Sequence, residues 1–144
     1  MLLGLYTSIL DNSNNVTLPR ELGEQLKEGV YVTQGFDRNI MVLTHEAFET
    51  VYQKITSANI ADPIARLLLR MILGSAYETE LKADGIAIMD SLKSFAKLGK
   101  EAIVVGQGDY LEIWSPEYWA QQRDQFMDVE KNPGRFSSLV ISTQ

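Results

Sequence analysis

Alternating and continuous apolar runs, separated by breaks rich in Gly, Asn and Pro, divide the chain into short strands and short helices. Residues 2–9 alternate, with Leu3, Leu5, Thr7 and Ile9 on one face, and predict a strand. Asp11-Asn12-Ser13-Asn14-Asn15 follows as a turn of residues that tolerate left-handed backbone and bond their own main chain. Val16-Thr17-Leu18 resumes a strand that Pro19 closes, and Leu22 and Leu26, four apart, place a short helix over 20–27. Gly29 stops it before Val30-Tyr31-Val32-Thr33. A tight turn after Gln34-Gly35, a second apolar run at 40–43 and a helix near 45–56 complete the first half. Asp62-Pro63 then caps a helix over 64–73. That helix is apolar nearly all round, which predicts burial between the halves or against a neighbouring chain.

The second half restarts the pattern. Residues 76–81 predict a strand, Lys82-Ala83-Asp84-Gly85 a turn, Ile86-Ala87-Ile88-Met89 a strand and 91–98 a short helix. Ile103-Val104-Val105 and Leu111-Glu112-Ile113-Trp114 flank Gly106-Gln107-Gly108-Asp109, which is hairpin chemistry. Ser115 suits an N-cap, Pro116 the first helical position and Glu117 the positive end of the dipole, for a helix to about residue 129. From its second apolar run onward this stretch rewrites the first half. Ile40 falls on Leu111, Val42 on Ile113, Leu43 on Trp114, Thr44 on Ser115, Glu46 on Glu117 and Phe48 on Trp119, each 71 residues on. Leu10 and Leu81 keep that spacing, which lays Asp11 over Lys82 and Asn14 over Gly85. Half of 144 residues is too long for a solenoid unit, which runs about 20–50 residues, and marks a duplicated small domain. Asn132-Pro133-Gly134 is turn chemistry and opens a polar tail. The divisions expected are therefore 1–60 for the first half, 61–75 for a central helix, 76–130 for the second half and 131–144 for the tail.

Composition narrows the function. With no cysteine, disulfides, thiolate metal sites and a cysteine nucleophile are excluded. The start lacks the basic residues of a signal peptide, and the longest apolar stretch, 67–73, is broken by Arg70 and too short to span a bilayer. A cytoplasmic protein with no membrane partner is expected. The net charge of −6 works against a nucleic-acid partner, whose usual footprint is a basic face, although a local basic patch can sit on an acidic chain.

The stretches MLLGLYTSILD, VTQGFDRNIMVLTHEAF, the central helix and above all VVGQGDYLEIWSPEYW resemble the MraZ family over nearly the whole chain to about Val129. The resemblance implies a bacterial transcriptional regulator of the division and cell-wall gene cluster. Its fold is α+β, two tandem swapped-hairpin, AbrB-like β-barrel halves with helices packed outside. It also implies assembly into a ring-like homo-oligomer, binding to repeated promoter boxes and a place at the nucleoid. The family's functional signature is the loop Asp-x-x-Gly-Arg in each half, with the arginine placed to meet DNA. Here the first loop reads Asp11-Asn12-Ser13-Asn14-Asn15, so Gly-Arg has become Asn-Asn. The second reads Lys82-Ala83-Asp84-Gly85-Ile86, with Ile86 where the arginine is expected. Lost arginines matter, because a bidentate contact to guanine is worth about 1–3 kcal/mol of discrimination. The DNA-binding residues expected are Asp11, Asn12, Asn14, Asn15, Arg20, Lys82, Gly85 and Lys93. Among these, Asn15 can still bond adenine or phosphate, and Arg20, Lys82 and Lys93 supply charge.

Nothing else in the chain amounts to catalytic chemistry. His45, the only histidine, has no metal or triad companions in the sequence. Asp109 with Glu112, and Glu78 with Glu80, read as solvated faces rather than an acid/base pair. Gln107-Gly108-Asp109 is too short for a phosphate loop. Trp114, Tyr118 and Trp119 sit at core or subunit-contact spacing. No enzyme and no cofactor are expected. Two function classes remain: an oligomeric sequence-specific DNA-binding regulator, and a DNA-binding-deficient paralogue that acts as an oligomeric interaction protein.

Overall fold

The computed structural model describes residues 1–83 and 85–141. The first apolar alternation forms β1 (Leu5–Ile9), and the Asn-rich turn leads into β2 (Asn15–Thr17) and α1 (Arg20–Gln25). The first hairpin is β3 (Val30–Gln34) with β4 (Ile40–Leu43), and the Thr44 hydroxyl caps α2 (His45–Thr56) by accepting from the Ala47 amide. Asp62 likewise caps α3 (Pro63–Ile72) at the Ile64 amide. The series then repeats as β5 (Tyr77–Thr79), β6 (Gly85–Ala87), α4 (Asp90–Ala96), β7 (Glu101–Gly106), β8 (Tyr110–Trp114) and α5 (Pro116–Phe126), the last capped by Ser115 at the Tyr118 amide. The 132–134 break, expected as a turn, instead opens one helical turn, α6 (Asn132–Arg135). Proline is tolerated in a first turn, and the side chains of Asn132 and Arg135 donate to the carbonyls of Phe126 and Gln125.

Strand pairing interleaves the halves. Six antiparallel strands run in the order β1-β7-β8-β4-β3-β5, and β2 pairs with β6 in a separate ribbon. The first strand of each half therefore joins the other half's hairpin: β1 lies on β7, and β5 lies on β3. The expected barrel in each half does not form among the described residues. Exchanging one strand apiece adds all six in a row, so one open sheet results, with β1 and β5 as its edges. Gly106 permits the close crossing at the β1 edge, since a Cβ there would lie 2.5 Å from the Cα of Leu3.

One core serves both halves. Val16, Leu18, Leu22, Val32, Ile40 and Val42 pack in a single cluster with their counterparts Ile86, Ile88, Leu92, Val104, Leu111 and Ile113. A smaller cluster gathers Met41, Leu43, Ile55 and Ile72 under α2 and α3. The all-round apolar surface of α3 is only partly covered: Ala65 and Ile72 are buried, while Ile64 and Leu67 are exposed. Along β1 and its flanks the inward positions are Leu2, Ser8 and Leu10, and the Leu3, Leu5, Thr7, Ile9 face is the outer one.

Candidate functional site

The β2–β6 ribbon pairs Asn15 with Ala87, Val16 with Ile86 and Thr17 with Gly85. Each strand follows its own turn, so antiparallel pairing of equivalent strands sets the two turns at opposite ends of a three-residue ribbon. They are twofold mates that flank the ribbon, and do not lie side by side.

The first turn is built by Asp11. Its Oδ1 accepts from the amides of Ser13 (2.8 Å) and Asn15 (3.0 Å), the Asx geometry that a short carboxylate side chain offers. These amides, Asn15's foremost, hold the Asp11 carboxyl below its ordinary pKa. The Asp11 amide in turn donates to the Asn15 carbonyl, and that of Asn14 to the Asp11 carbonyl. Asn14 sits in the left-handed region at φ 60°, which Asn tolerates better than most residues. Its side chain reaches the other half: Nδ2 donates to Asp90 Oδ1 (2.8 Å), and Oδ1 accepts from Lys93 Nζ (3.1 Å). Lys93 is thereby held within the protein, beside a cleft of ≈ 340 Å³ lined by Asp11, Asn12, Asn14 and Lys100 among others.

The second turn is shorter. Lys82 and Gly85 exchange both backbone hydrogen bonds across two residues, where Asp11 and Asn15 span three. This corrects the alignment read from sequence. Gly85 takes the place of Asn15, not Asn14, and Ile86 takes the place of Val16. Ile86 is fully buried in the core and could not have been an arginine position. At Gly85 a Cβ would stand 3.2 Å from the Lys82 carbonyl oxygen, so a longer side chain enters there only if its neighbours give way.

The charges at the two ends differ. Arg20 opens α1 as Asp90 opens α4, each directly after its N-cap residue, so one mate is basic and the other acidic. Arg20 and Lys82 are both exposed. The structure thus gathers Asp11, Asn12, Asn14 and Lys93 at the first turn, sets Lys82 and Gly85 at the second, and places Arg20 on the helix that follows β2. Sequence reasoning missed Asp90, the partner of Asn14, and Lys100, whose carbonyl receives the Leu10 amide at 2.9 Å. Lysines at 93, 97 and 100, spaced four and three apart, were the available signal for a basic stretch along α4 and its exit.

The remaining candidates have structural partners. His45 lies edge-on to Tyr31 and 3.9 Å from Glu78. Glu112 accepts from Trp114 Nε1 and Gln107 Nε2. Trp114 is buried and packs edge-to-face on Trp119, with centroids 5.8 Å apart. Among the described residues no group of acidic, histidine or cysteine side chains is arranged to hold a metal ion, and no helix is long and apolar enough to cross a membrane.

The repeat has a counterpart in a known family. The family model described as "MraZ protein, putative antitoxin-like" matches this chain twice, over residues 1–71 and 72–135. The chain belongs to the MraZ family. It is 34% identical over 125 residues to the transcriptional regulator MraZ of Thermomicrobium roseum, covering 86% of this chain and 88% of that protein. The MraZ of Corynebacterium urealyticum is 34% identical over 122 residues, with 84% and 85% covered. The MraZ of Leifsonia xyli subsp. xyli is 32% identical over 143 residues, with 94% and 100% covered. These MraZ relatives are named as transcriptional regulators and not as enzymes.

Proposed function

We propose that this MraZ-family chain is a sequence-specific DNA-binding transcriptional regulator of the division and cell-wall gene cluster, acting at the nucleoid as a ring-like homo-oligomer. The observation that carries the reading is the β2–β6 ribbon, which offers two equivalent turns in twofold relation. The exchange of first strands between hairpins supports a swapped-hairpin organisation, with halves at 1–60 and 76–130 joined by a central helix at 61–75 and followed by a tail at 131–144. In this reading the turns carry Asp11, Asn12, Asn14, Asn15, Lys82 and Gly85 to DNA, with Arg20 and Lys100 toward phosphates and Lys93 beside them, held by Asn14. Promoter repeats are the partner, and neither cofactor nor membrane is involved.

The absence of both signature arginines makes each subunit a weak binder. Lys82 lies in the second turn and Arg20 opens α1, both exposed, whereas Lys93 is engaged by Asn14. Arg20→Ala with Lys82→Ala should lower affinity for every DNA sequence and flatten the salt dependence by about 0.9 log units per lost phosphate contact. Unchanged affinity and slope in the double variant, measured by fluorescence anisotropy against salt, would remove these residues from the interface. The engagement of Lys93 favours one further reading, an interaction protein that co-assembles with a DNA-binding relative. No binding of DNA by the chain alone, together with mixed oligomers, would select it.

A further inference from the structure

The two edges of the sheet are twofold mates with opposite surfaces. Tyr6 and Tyr77 are equivalent, and the outward positions Thr7 and Ile9 of β1 correspond to Glu78 and Glu80 at the β5 edge. Charged residues on an edge strand discourage another strand from adding to it, so the β5 edge is protected. The β1 edge is not. Residues 2–10 carry no charged side chain, and Leu3, Leu5 and Ile9 are 57%, 53% and 67% exposed. Gly4, Leu2 and Leu10 direct their backbone bonds to the β7 side, and strand alternation leaves the polar backbone groups of Leu3, Leu5 and Thr7 on the open side, before the Leu10–Val16 bridge joins the end of the strand to β2. A groove of ≈ 620 Å³ runs along that side, lined by Leu5, Thr7, Ile9, Thr17, Leu18 and Pro19.

The same chain carries a segment suited to this groove. After α6, Phe136-Ser137-Ser138-Leu139-Val140-Ile141 has no charge and ends in adjacent aliphatic residues, two of them β-branched. Leu139, Val140 and Ile141 are non-helical and 59%, 98% and 80% exposed. Bare groove and exposed aliphatic segment coexist in one molecule. We propose that residues 137–141 of one copy add as a strand to the β1 edge of a second copy, placing Leu139 or Val140 against Leu5 and Ile9. Main-chain hydrogen bonds close the edge, and alternate side chains fill the groove. The proposal deepens the oligomer in the proposed function, because a tail given to one neighbour and an edge offered to the next make a head-to-tail contact, the kind that closes into a ring.

The test uses light scattering on the full chain, on a chain lacking 137–144, on Val140→Asp and on Thr7→Lys. Tail loss and each substitution should lower the mass toward that of the 16.2 kDa chain. A peptide of sequence FSSLVISTQ should bind the tail-less chain and not the tail-less chain carrying Thr7→Lys. Mixing Val140→Asp with Thr7→Lys should restore a paired species, since one retains the edge and the other the tail. No restoration on mixing, with peptide binding intact, would mean that the tail docks within its own chain and would overturn the inter-chain proposal. An unchanged oligomer after tail removal, with no peptide binding, would overturn the tail's role and leave the oligomeric reading standing. A monomeric full chain would overturn both.

Discussion

Asp11 holds the backbone of the first turn with one oxygen, while Oδ2 takes only a long 3.5 Å bond from Asn15 Nδ2. Because Oδ1 alone accepts from both Ser13 and Asn15, an amide oxygen can do the same work. Asp11→Asn should therefore keep the turn and remove a negative charge from the end proposed to meet DNA, raising affinity. Asp11→Ala should lose the turn and lower affinity, so equal effects of the two would contradict this assignment. Since the folded carboxyl titrates below its ordinary value, its support for the turn is complete above the unfolded pKa and is lost as pH falls through the lowered one. DNA binding should thus owe nothing to Asp11 titration near neutrality. Ile86 gives a sharper contrast between alignment and structure. Ile86→Arg restores the signature on paper, yet it buries a charge at a fully enclosed position, which costs several kcal/mol. Thermal denaturation should show a collapse in stability and no gain in DNA binding. The Asp-Asn-Ser-Asn-Asn turn was legible because each residue type has a local reason to turn. The missing residue in the second turn was not, since no side chain announces a deletion. Nor were the bonds from Asn14 to Asp90 and Lys93, which join residues 76 and 79 positions apart.

At the scale of elements, local chemistry was read well and pairing was not. Thr44, Asp62 and Ser115 cap the helices that their positions predict, because a cap depends on residues two or three away. That β1 lies on β7 depends on residues about a hundred positions apart, and periodicity carries no partner information. The barrel expectation came from the resemblance and not from periodicity, and the strand order is one open sheet instead. Tyr77 shows how β5 and β6 are fastened despite their shortness: its hydroxyl donates to the Ala87 carbonyl (2.7 Å) and accepts from the Met89 amide (3.1 Å). Burial raises its pKa, opposed by the Met89 bond. Tyr77→Phe strips both partners and should cost about 1–2 kcal/mol, read from a lower urea midpoint. An unchanged midpoint would show that solvent satisfies these groups equally well.

In the whole molecule, the repeat has become a single unit with one core and one sheet, and its twofold symmetry is exact in the ribbon but broken in charge. The chain is acidic overall at −6, so on the proposed function DNA binding would come from several subunits acting together. Tethered sites gain affinity through effective concentration without stronger contacts. The most direct test is a salt-titrated binding assay that compares promoter DNA bearing one box with DNA bearing several spaced boxes, for the wild-type chain and for Asn14→Gly with Asn15→Arg. Glycine suits the left-handed position of Asn14, and the change also frees Lys93. The account predicts single-box binding barely above background, measurable binding to several boxes, and for the restored pair higher affinity with a steeper salt slope. Tight wild-type binding to one box, or no binding to several boxes by either protein, would contradict it.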